Sequence, residues 1–376
     1  MSSYSDPASQ GSMLFDAYRN QFYYDALKNI VTPDSVVLDL GAGLGGFGLM
    51  AAKLGAKAVY LVDPSPAVFV AEQAAKANGI NNVQCFHGTI ERVSLPTKVD
   101  IIISVFTGNF MLSEDLLPSL FYARDKYLAE GGHLLPERGE MIAAPVQLDR
   151  FYERSLASWH RDEDLMALGL DYQIATKYAV NRCYHDNFRA MEPVVLSPPQ
   201  VLTALDFNTA TKAECFSENS YRCDQGGECH GWLGWFRMKL GEKWMSTGPE
   251  ASASHWSQVL LPLESTVSLV EGDTLSLNLK RPQFGDYSWQ TGGKATFKQS
   301  TFLSRPIVPK LIAKQADGHR PTLNDDGEAT QFVLAQFNGN TSLAEISAAL
   351  RLAHGKIFTT DEAAKNFVKG MAAGYS

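Results

Sequence analysis

The chain has 376 residues, 45% hydrophobic and 20% charged, with a formal net charge of −8. That is the composition of a globular protein with a large core and length for two or three domains. It excludes a disulfide scaffold, because the five cysteines (Cys85, Cys183, Cys215, Cys223 and Cys229) are odd in number and irregular in spacing.

The negative balance and the lack of any Lys/Arg-rich block argue against a nucleic-acid partner. The longest apolar stretch, 101–112, is too short and interrupted to span a bilayer, so no membrane association is expected. The first residues, Met-Ser-Ser-Tyr-Ser-Asp-Pro, have neither the basic nor the apolar region of a secretory signal. With reduced cysteines, this points to a cytoplasmic protein.

Residues 1–12 are rich in Ser, Gly and Pro and are expected to be mobile. A helix is expected over 13–30. Short β-branched runs at 36–40, 58–62, 83–86 and 99–105 then alternate with helical runs at 45–54, 67–78 and 114–129. Strands separated by helices imply an α/β domain with a parallel sheet covered on both faces. After Pro136 aromatic and β-branched runs recur between turns such as Ser197-Pro198-Pro199, Gln225-Gly226-Gly227 and Gln283-Phe284-Gly285. These predict a β-rich domain over 137–305, with a helical excursion at 151–168. Pro306 and Pro309 mark a linker. Amphipathic helices follow at 329–337, 342–353 and 361–373, the last two with Thr341 and Thr360 as N-caps. The expected domains are therefore 1–136, 137–305 and 306–376.

The chemistry concentrates in two places. The first is Val36-Val-Leu-Asp39-Leu-Gly41-Ala-Gly43-Leu-Gly45, between a strand and a helix. Glycines there permit positive φ and close approach of the backbone to a ligand. Asp63 closes the next strand, about twenty residues on, where an acid can accept both ribose hydroxyls. This is a Rossmann-like site for an adenosine cofactor. Gly41-x-Gly43-x-x-Gly46 formally satisfies the dinucleotide fingerprint, but Asp39, two residues before the first glycine, favours S-adenosylmethionine. Asp39 orders the turn or reaches the cofactor's amino group. The second place is the loop 104–114, after the fourth strand. Cys223, Cys229 and His230 lack a second pair at ligand spacing, so no metal is expected.

Over residues 13–305 the chain resembles the protein arginine methyltransferase family. Met13-Leu14-x-Asp16-x-x-Arg19-x-x-x-Tyr23 is similar to the family's helix that folds over the cofactor. The resemblance implies that Met13 lies at the cofactor and that Arg19 grips its carboxylate. Gly88-Thr89-Ile90-Glu91 falls on the adenine-contacting stretch, where the Ile90 backbone and the Glu91 carboxylate would read the amino group. Tyr122-Ala123-Arg124-Asp125-Lys126-Tyr127-Leu128 with Leu135-Pro136-x-Arg138 is diagnostic of the family. Ser254-His255-Trp256 resembles its Thr-His-Trp loop, whose histidine pairs with the aspartate that is here Asp16. Trp159 and His160 fall on its dimerisation arm, so a homodimer is implied.

The loop departs from the family. Its Ser-Glu-Trp-Met-Gly-Tyr pattern reads Ser104-Val105-Phe106-Thr107-Gly108-Asn109, and only the second glutamate, Glu114, is kept. A guanidinium arrives as a cation, and two carboxylates clamp it. Removing one costs a charge-assisted contact of about 2–5 kcal/mol when buried. Asp115 is expected on the wrong side of its helix start to replace it. Glu114 is the candidate to hold the acceptor or take its proton, with the Asp16–His255 pair orienting the acceptor or joining the two domains.

Beyond 305, Leu323-Asn324 through Gly339-Asn340-Thr341-Ser342-x-x-Glu345-Ile346 looks like a PqqD-type winged-helix module, which clamps a leader peptide by strand addition. A helical cap on the barrel is the alternative. The first reading is an S-adenosylmethionine-dependent methyltransferase acting on a nitrogen or carboxylate of a peptide, such as a ribosomally made natural-product precursor. The alternatives are an arginine methyltransferase using a single glutamate, and a degenerate scaffold that binds cofactor and peptide without turnover.

Overall fold

The computed structural model describes residues 6–160 and 163–376. It divides into two compact units, Met1–Pro306 and Ile307–Ser376.

The first unit begins with two helical pieces, α1 (Gly11–Leu14) and α2 (Ala17–Ile30). The single helix expected over 13–30 is broken because Asp16 takes an extended conformation and caps α2, accepting from the Arg19 amide at 2.9 Å. Of the segment expected to be mobile, residues 1–5 lie outside the described region, and Gln10 is buried. A five-stranded parallel sheet follows: β1 (Val36–Leu40), β2 (Ala58–Asp63), β3 (Val83–His87), β4 (Val99–Ser104) and β5 (Leu128–Leu135), in the order β3-β2-β1-β4-β5. Its helices are α3 (Gly46–Lys53), α4 (Ala67–Ala77) and α5 (Leu117–Tyr127). Alternation of strand and helix fixed the α/β class; the helix expected over 114–129 is shorter at both ends. Its last residues open β5, whose Gly131-Gly132 pair hides a strand that only pairing with β4 reveals.

β6 (Arg138–Gln147) leaves β5 after two residues and enters the antiparallel part. Helices α6 (Asp149–Ser155), α7 (Ala157–His160), α8 (Glu163–Ala167) and α9 (Thr176–Val180) form the excursion. The strands β7 (Tyr184–Asp186), β8 (Val194–Val195), β9 (Gln200–Asp206), β10 (Cys215–Arg222), β11 (Gly227–Leu240), β12 (Lys243–Ser246), β13 (Gln258–Leu269), β14 (Thr274–Arg281), β15 (Ser288–Gly293) and β16 (Phe297–Ser300) complete it. They make a seven-stranded and a four-stranded sheet, the latter in the order β10-β14-β15-β16. Trp232 and Phe236 of β11 are fully buried, and Leu275, Leu277 and Leu279 of β14 alternate inward. One hydrophobic cluster runs from Leu38 and Ile103 of the parallel sheet through Phe110 and Met111 to Trp232 and Trp289.

The second unit holds α10 (Pro309–Ala313), α11 (Asp325–Leu334), α12 (Leu343–Ala353) and α13 (Asp361–Tyr375), closed around Val333, Ile346, Leu350 and Val368. The expected Thr341 cap is replaced by Ser342, which forms a reciprocal capping box with Glu345; Thr360 caps α13. The winged-helix expectation is corrected. Among the described residues 307–376 contain no strand, because Pro309 and Pro321 interrupt the stretch where a hairpin would stand and no alternating run replaces it. No helix among the described residues is long and apolar enough to cross a membrane.

Leu350 is fully buried in this small core. Leu350→Ala should lower the stability of the C-terminal unit by about 2–5 kcal/mol. Denaturant melts followed in the full chain by a probe on α12 check this, and a change below about 1 kcal/mol would show that the unit does not pack as described.

Candidate active site

The site is assembled where β1, β2 and β4 end. Gly41, Gly43 and Gly45 have φ of +73°, +51° and +79°, the left-handed region that side chains resist. Space adds to the requirement at all three. A Cβ on Gly41 would collide with the Phe106 ring, one on Gly43 with the Gln10 carboxamide, and one on Gly45 with the Ala71 Cβ. The Gly43 amide donates to Asp63 Oδ2 at 2.8 Å, and the Ser65 amide to Oδ1 at 2.7 Å. Asp63 therefore stands at the turn with its oxygens oriented by backbone.

Asp39 lies under the turn, 3% exposed, and accepts from the Gly48 amide at 2.7 Å. Burial pushes its carboxyl up to about 7, aided by the nearby Asp63 and opposed by the Gly48 bond and Arg19. Arg19 comes from α2. Its Nη2 donates to the Met13 carbonyl at 2.6 Å, and its guanidinium lies 4.7 Å from the Phe47 ring centroid and 5.9 Å from that of Trp256. Its buried Nε has no hydrogen-bond partner. A buried cationic N–H without an acceptor is costly, and a ligand carboxylate is the group that relieves it. Ile90 is buried beyond β3, and the neighbouring Glu91 is exposed and accepts from Ser119 Oγ at 2.6 Å.

Asp16 does three things at once. Oδ1 caps α2, while Oδ2 accepts from both the His255 backbone amide and Nδ1, each at 2.8 Å. Both oxygens of this expected catalytic residue are thus engaged within the protein. Burial pushes the Asp16 carboxyl up, but these bonds outweigh it and hold it below its ordinary value. Burial also pulls the His255 imidazole down, only partly offset by Asp16. A neutral imidazole that donates Nδ1–H to a carboxylate presents Nε2 as an acceptor.

The loop 105–115 crosses between these groups. Val105 packs against the core. Glu114 is exposed and its side chain folds over Gly108, whose Cβ would lie 2.6 Å from Glu114 Cγ. The Glu114 charge reaches His255 and raises its pKa. Asp115, as expected, turns away: its carboxylate binds Arg281 at 2.6 Å. The structure thus brings Arg19, Asp39 and Asp63 to the glycine turn, and gathers Asp16, His255 and Glu114 into a second group. Sequence reasoning missed Gln10, Phe47 and Phe106, which touch the turn or Arg19, and Tyr23, whose hydroxyl donates to the Ser104 carbonyl at 2.8 Å. Asn109, quoted in the loop pattern without a partner, accepts from the Ser257 amide at 2.9 Å. Phe106 and Tyr23 had a signal through their places in the loop and first-helix patterns; Gln10 and Phe47 had none. Among the described residues no cluster could hold a metal ion.

A left-handed glycine turn, an acid closing the next strand and a buried arginine lacking an anion define an S-adenosylmethionine-dependent methyltransferase. Family models for a methyltransferase domain and for the arginine methyltransferase oligomerization subdomain match residues 37–132 and 137–289. Protein arginine N-methyltransferase 1 of Oryza sativa subsp. indica is 31% identical over 284 residues, 73% of this chain and 72% of the relative. Protein arginine N-methyltransferase 6 of Xenopus laevis is 32% identical over 72% of this chain and 82% of its own length. Two solved structures each cover 79% of this chain and 98% of their own. The Trypanosoma brucei PRMT1 enzyme-prozyme heterotetrameric complex with AdoHcy has a TM-score of 0.71 at 25% identity. Arabidopsis thaliana protein arginine methyltransferase 10 has a TM-score of 0.66 at 26% identity. The chain belongs to the protein arginine methyltransferase family.

The raised Asp39 pKa has a consequence for stability. The folded protein holds this proton up to about pH 7, whereas the unfolded chain releases it near the ordinary aspartate value of 3.8. Between those limits the folded state binds more protons, so this group's contribution to stability falls as pH rises. Asp39→Asn keeps an acceptor for the Gly48 amide and removes the titration. Thermal melts of the cofactor-free protein across that window should decline less for the variant; equal slopes would mean that Asp39 is ionised in the fold.

Proposed function

We propose that this enzyme methylates arginine side chains of a protein or peptide, with Glu114 as the single carboxylate of its acceptor site. The observation that carries this is the retention of Glu114 beside the Asp16–His255 pair, in a chain whose relatives are protein arginine N-methyltransferases. These relatives weigh against the natural-product precursor as acceptor. The strandless C-terminal unit gives no edge for a leader peptide to extend.

S-adenosylmethionine, when bound, supplies a methyl group on a sulfonium. The geometry supports the following residues as those that hold it. Gly41, Gly43 and Gly45 admit it to the backbone, Asp63 accepts the ribose hydroxyls, and the Arg19 Nε meets the carboxylate beside Met13. Ile90 and Glu91 read the adenine amino group. Asp39 lies under the turn and orders the start of α3 by accepting from the Gly48 amide. On the acceptor side Glu114 binds the guanidinium and localises the lone pair of the nitrogen that is methylated. His255 is oriented by Asp16, and Nε2 is the open acceptor of that pair. The pair also fixes the start of α2, and hence Arg19, to the loop carrying Trp256. Alignment of nucleophile and methyl is the main task of such a site.

Val105 and Asn109 support a second reading, an acceptor less cationic than guanidinium, because neither supplies the missing charge. The reading without turnover also remains distinct in its outcome. Exposed Met166, Leu168, Leu170, Tyr172 and Ile174 lie within the segment matched by the oligomerization-subdomain model and support a homodimer through these apolar residues. The free thiols fit a reducing cytoplasm.

The test is methyl transfer from labelled cofactor to arginine-rich peptides, with the product located by fragmentation mass spectrometry. Arginine should carry the label. Glu114→Gln should lower kcat/KM by about 30-fold or more, the low end of ~2–5 kcal/mol for a charge-assisted pair, while cofactor affinity stays within about twofold. Val105→Glu should raise turnover on arginine. Label on an amine or carboxylate instead would favour the second reading, and tight cofactor binding with no product would favour the scaffold.

Leu168→Glu with Ile174→Glu should shift the protein toward monomer in sedimentation velocity. Unchanged mass in both states would remove the arm from the interface.

A further inference from the structure

Five non-glycine residues have positive φ among the described residues: Phe110, Met111, Asp115, Glu192 and Phe284. Three of them lie in the eleven-residue loop that carries Glu114, and a fourth, Phe284, is bonded to that loop. Such backbone persists only where its surroundings over-determine it, and here the surroundings are identifiable.

At the near end Asn109 is tied to the Ser257 amide, beside His255. In the middle, Phe110 and Met111 enter seats made by missing side chains. A Cβ on Gly234 of β11 would lie 2.5 Å from Phe110 Cε2, and one on Gly139 of β6 would lie 2.6 Å from Met111 Sδ. At the far end Asp115 accepts from Arg281 Nη2 at 2.6 Å and from the Phe284 amide at 3.0 Å. Arg281 is the last residue of β14. Its register with Leu275, Leu277 and Leu279 turns it inward, where it is 2% exposed. Its other Nη donates to the Pro282 carbonyl at 3.1 Å, and its guanidinium lies 5.6 Å from the Tyr287 ring centroid. Tyr287 in turn stacks on Phe110. An arginine on an apolar face is expensive unless paired, and Asp115 is its paired carboxylate.

We propose that Arg281, acting through Asp115, is a positioning residue for Glu114, fixing the direction in which the one remaining acceptor carboxylate points. The residue adjoining Glu114 is held in a left-handed conformation by two bonds, one from the end of β14 and one from the turn after it. Glu114 therefore leaves the chain at an angle that this end of β14 sets. A site with two carboxylates can tolerate a swing of one; a site with one cannot. The ion pair supplies from the barrel the constraint that a second glutamate supplies from the loop. This inference rests on Glu114 being the acceptor group.

The test uses the full chain with Arg281→Met, Arg281→Lys, Asp115→Asn and the Met/Asn double variant. Hydrogen exchange is read separately for peptides covering 105–116 and 36–63. Kinetics are read at saturating cofactor on the acceptor that the wild type methylates. Arg281→Met should speed exchange in the loop at least fivefold and leave 36–63 unchanged. It should raise the acceptor KM or lower kcat enough to cut kcat/KM tenfold or more, with cofactor affinity within twofold. Arg281→Lys should recover most of the loss, and the double variant should be no worse than the more impaired single. Loop exchange unchanged in both Arg281→Met and Asp115→Asn overturns the proposal whatever the acceptor is. So does loss of cofactor binding in step with acceptor turnover, which marks a merely structural pair. Product on a residue other than arginine would instead overturn only the acceptor assigned above, while the exchange and kinetic splits still decide the role of Arg281.

Discussion

The parallel sheet and the antiparallel strands share one core because a loop is packed into both. Phe110, Met111 and Leu112 follow β4 at the end of the parallel sheet, yet all three are essentially buried, with Phe110 and Met111 against glycines of β11 and β6. Dense packing of this kind transmits position, since neither partner can shift by a few tenths of an ångström without losing contact. The middle of the loop that presents Glu114 is therefore anchored in both parts, although it has no regular secondary structure.

The cofactor side depends on a different economy. Asp39, Asp63 and Arg19 form a small buried charge group in which burial raises the pKa of one acid and the Nε of the one cation lacks an acceptor. Both features favour a ligand that brings a carboxylate to Arg19 and hydroxyls to Asp63. Phe47 and Trp256 hold the guanidinium between rings, which orients it without neutralising it. Asp16 joins the halves, because a single carboxylate caps the helix bearing Arg19 and fixes His255. The positions of Arg19 and of His255 are coupled through that one side chain.

One set of departures expected from the resemblance falls in the loop after β4. Val105 replaces a charge with an apolar wall, and Asn109 turns its amide toward the Ser257 backbone rather than toward solvent. Catalytic loops tolerate such exchange when the scaffold beneath them is unchanged. The acceptor assignment therefore rests on Glu114 and on the relatives, not on a full pair of carboxylates.

Sequence by itself determined the α/β class, the glycine turn and Asp63, because each belongs to a local pattern with a fixed spacing. It also named Arg19 and the Asp16–His255 pair through resemblance, and the structure holds that pair at 2.8 Å. It misjudged β5, whose glycines mask its strand character, and placed one helix cap a residue early, at Thr341 in place of Ser342. The winged-helix expectation failed because its helices were legible by period, whereas a wing needs strands to pair with. The partners of the acceptor loop lay beyond local reading altogether: Asn109 and Ser257 are 148 residues apart, and Asp115 and Arg281 are 166 apart. Neither spacing carries a periodic signal. Only the closing of the barrel against the sheet brings them together, and it alone decided which way Glu114 points.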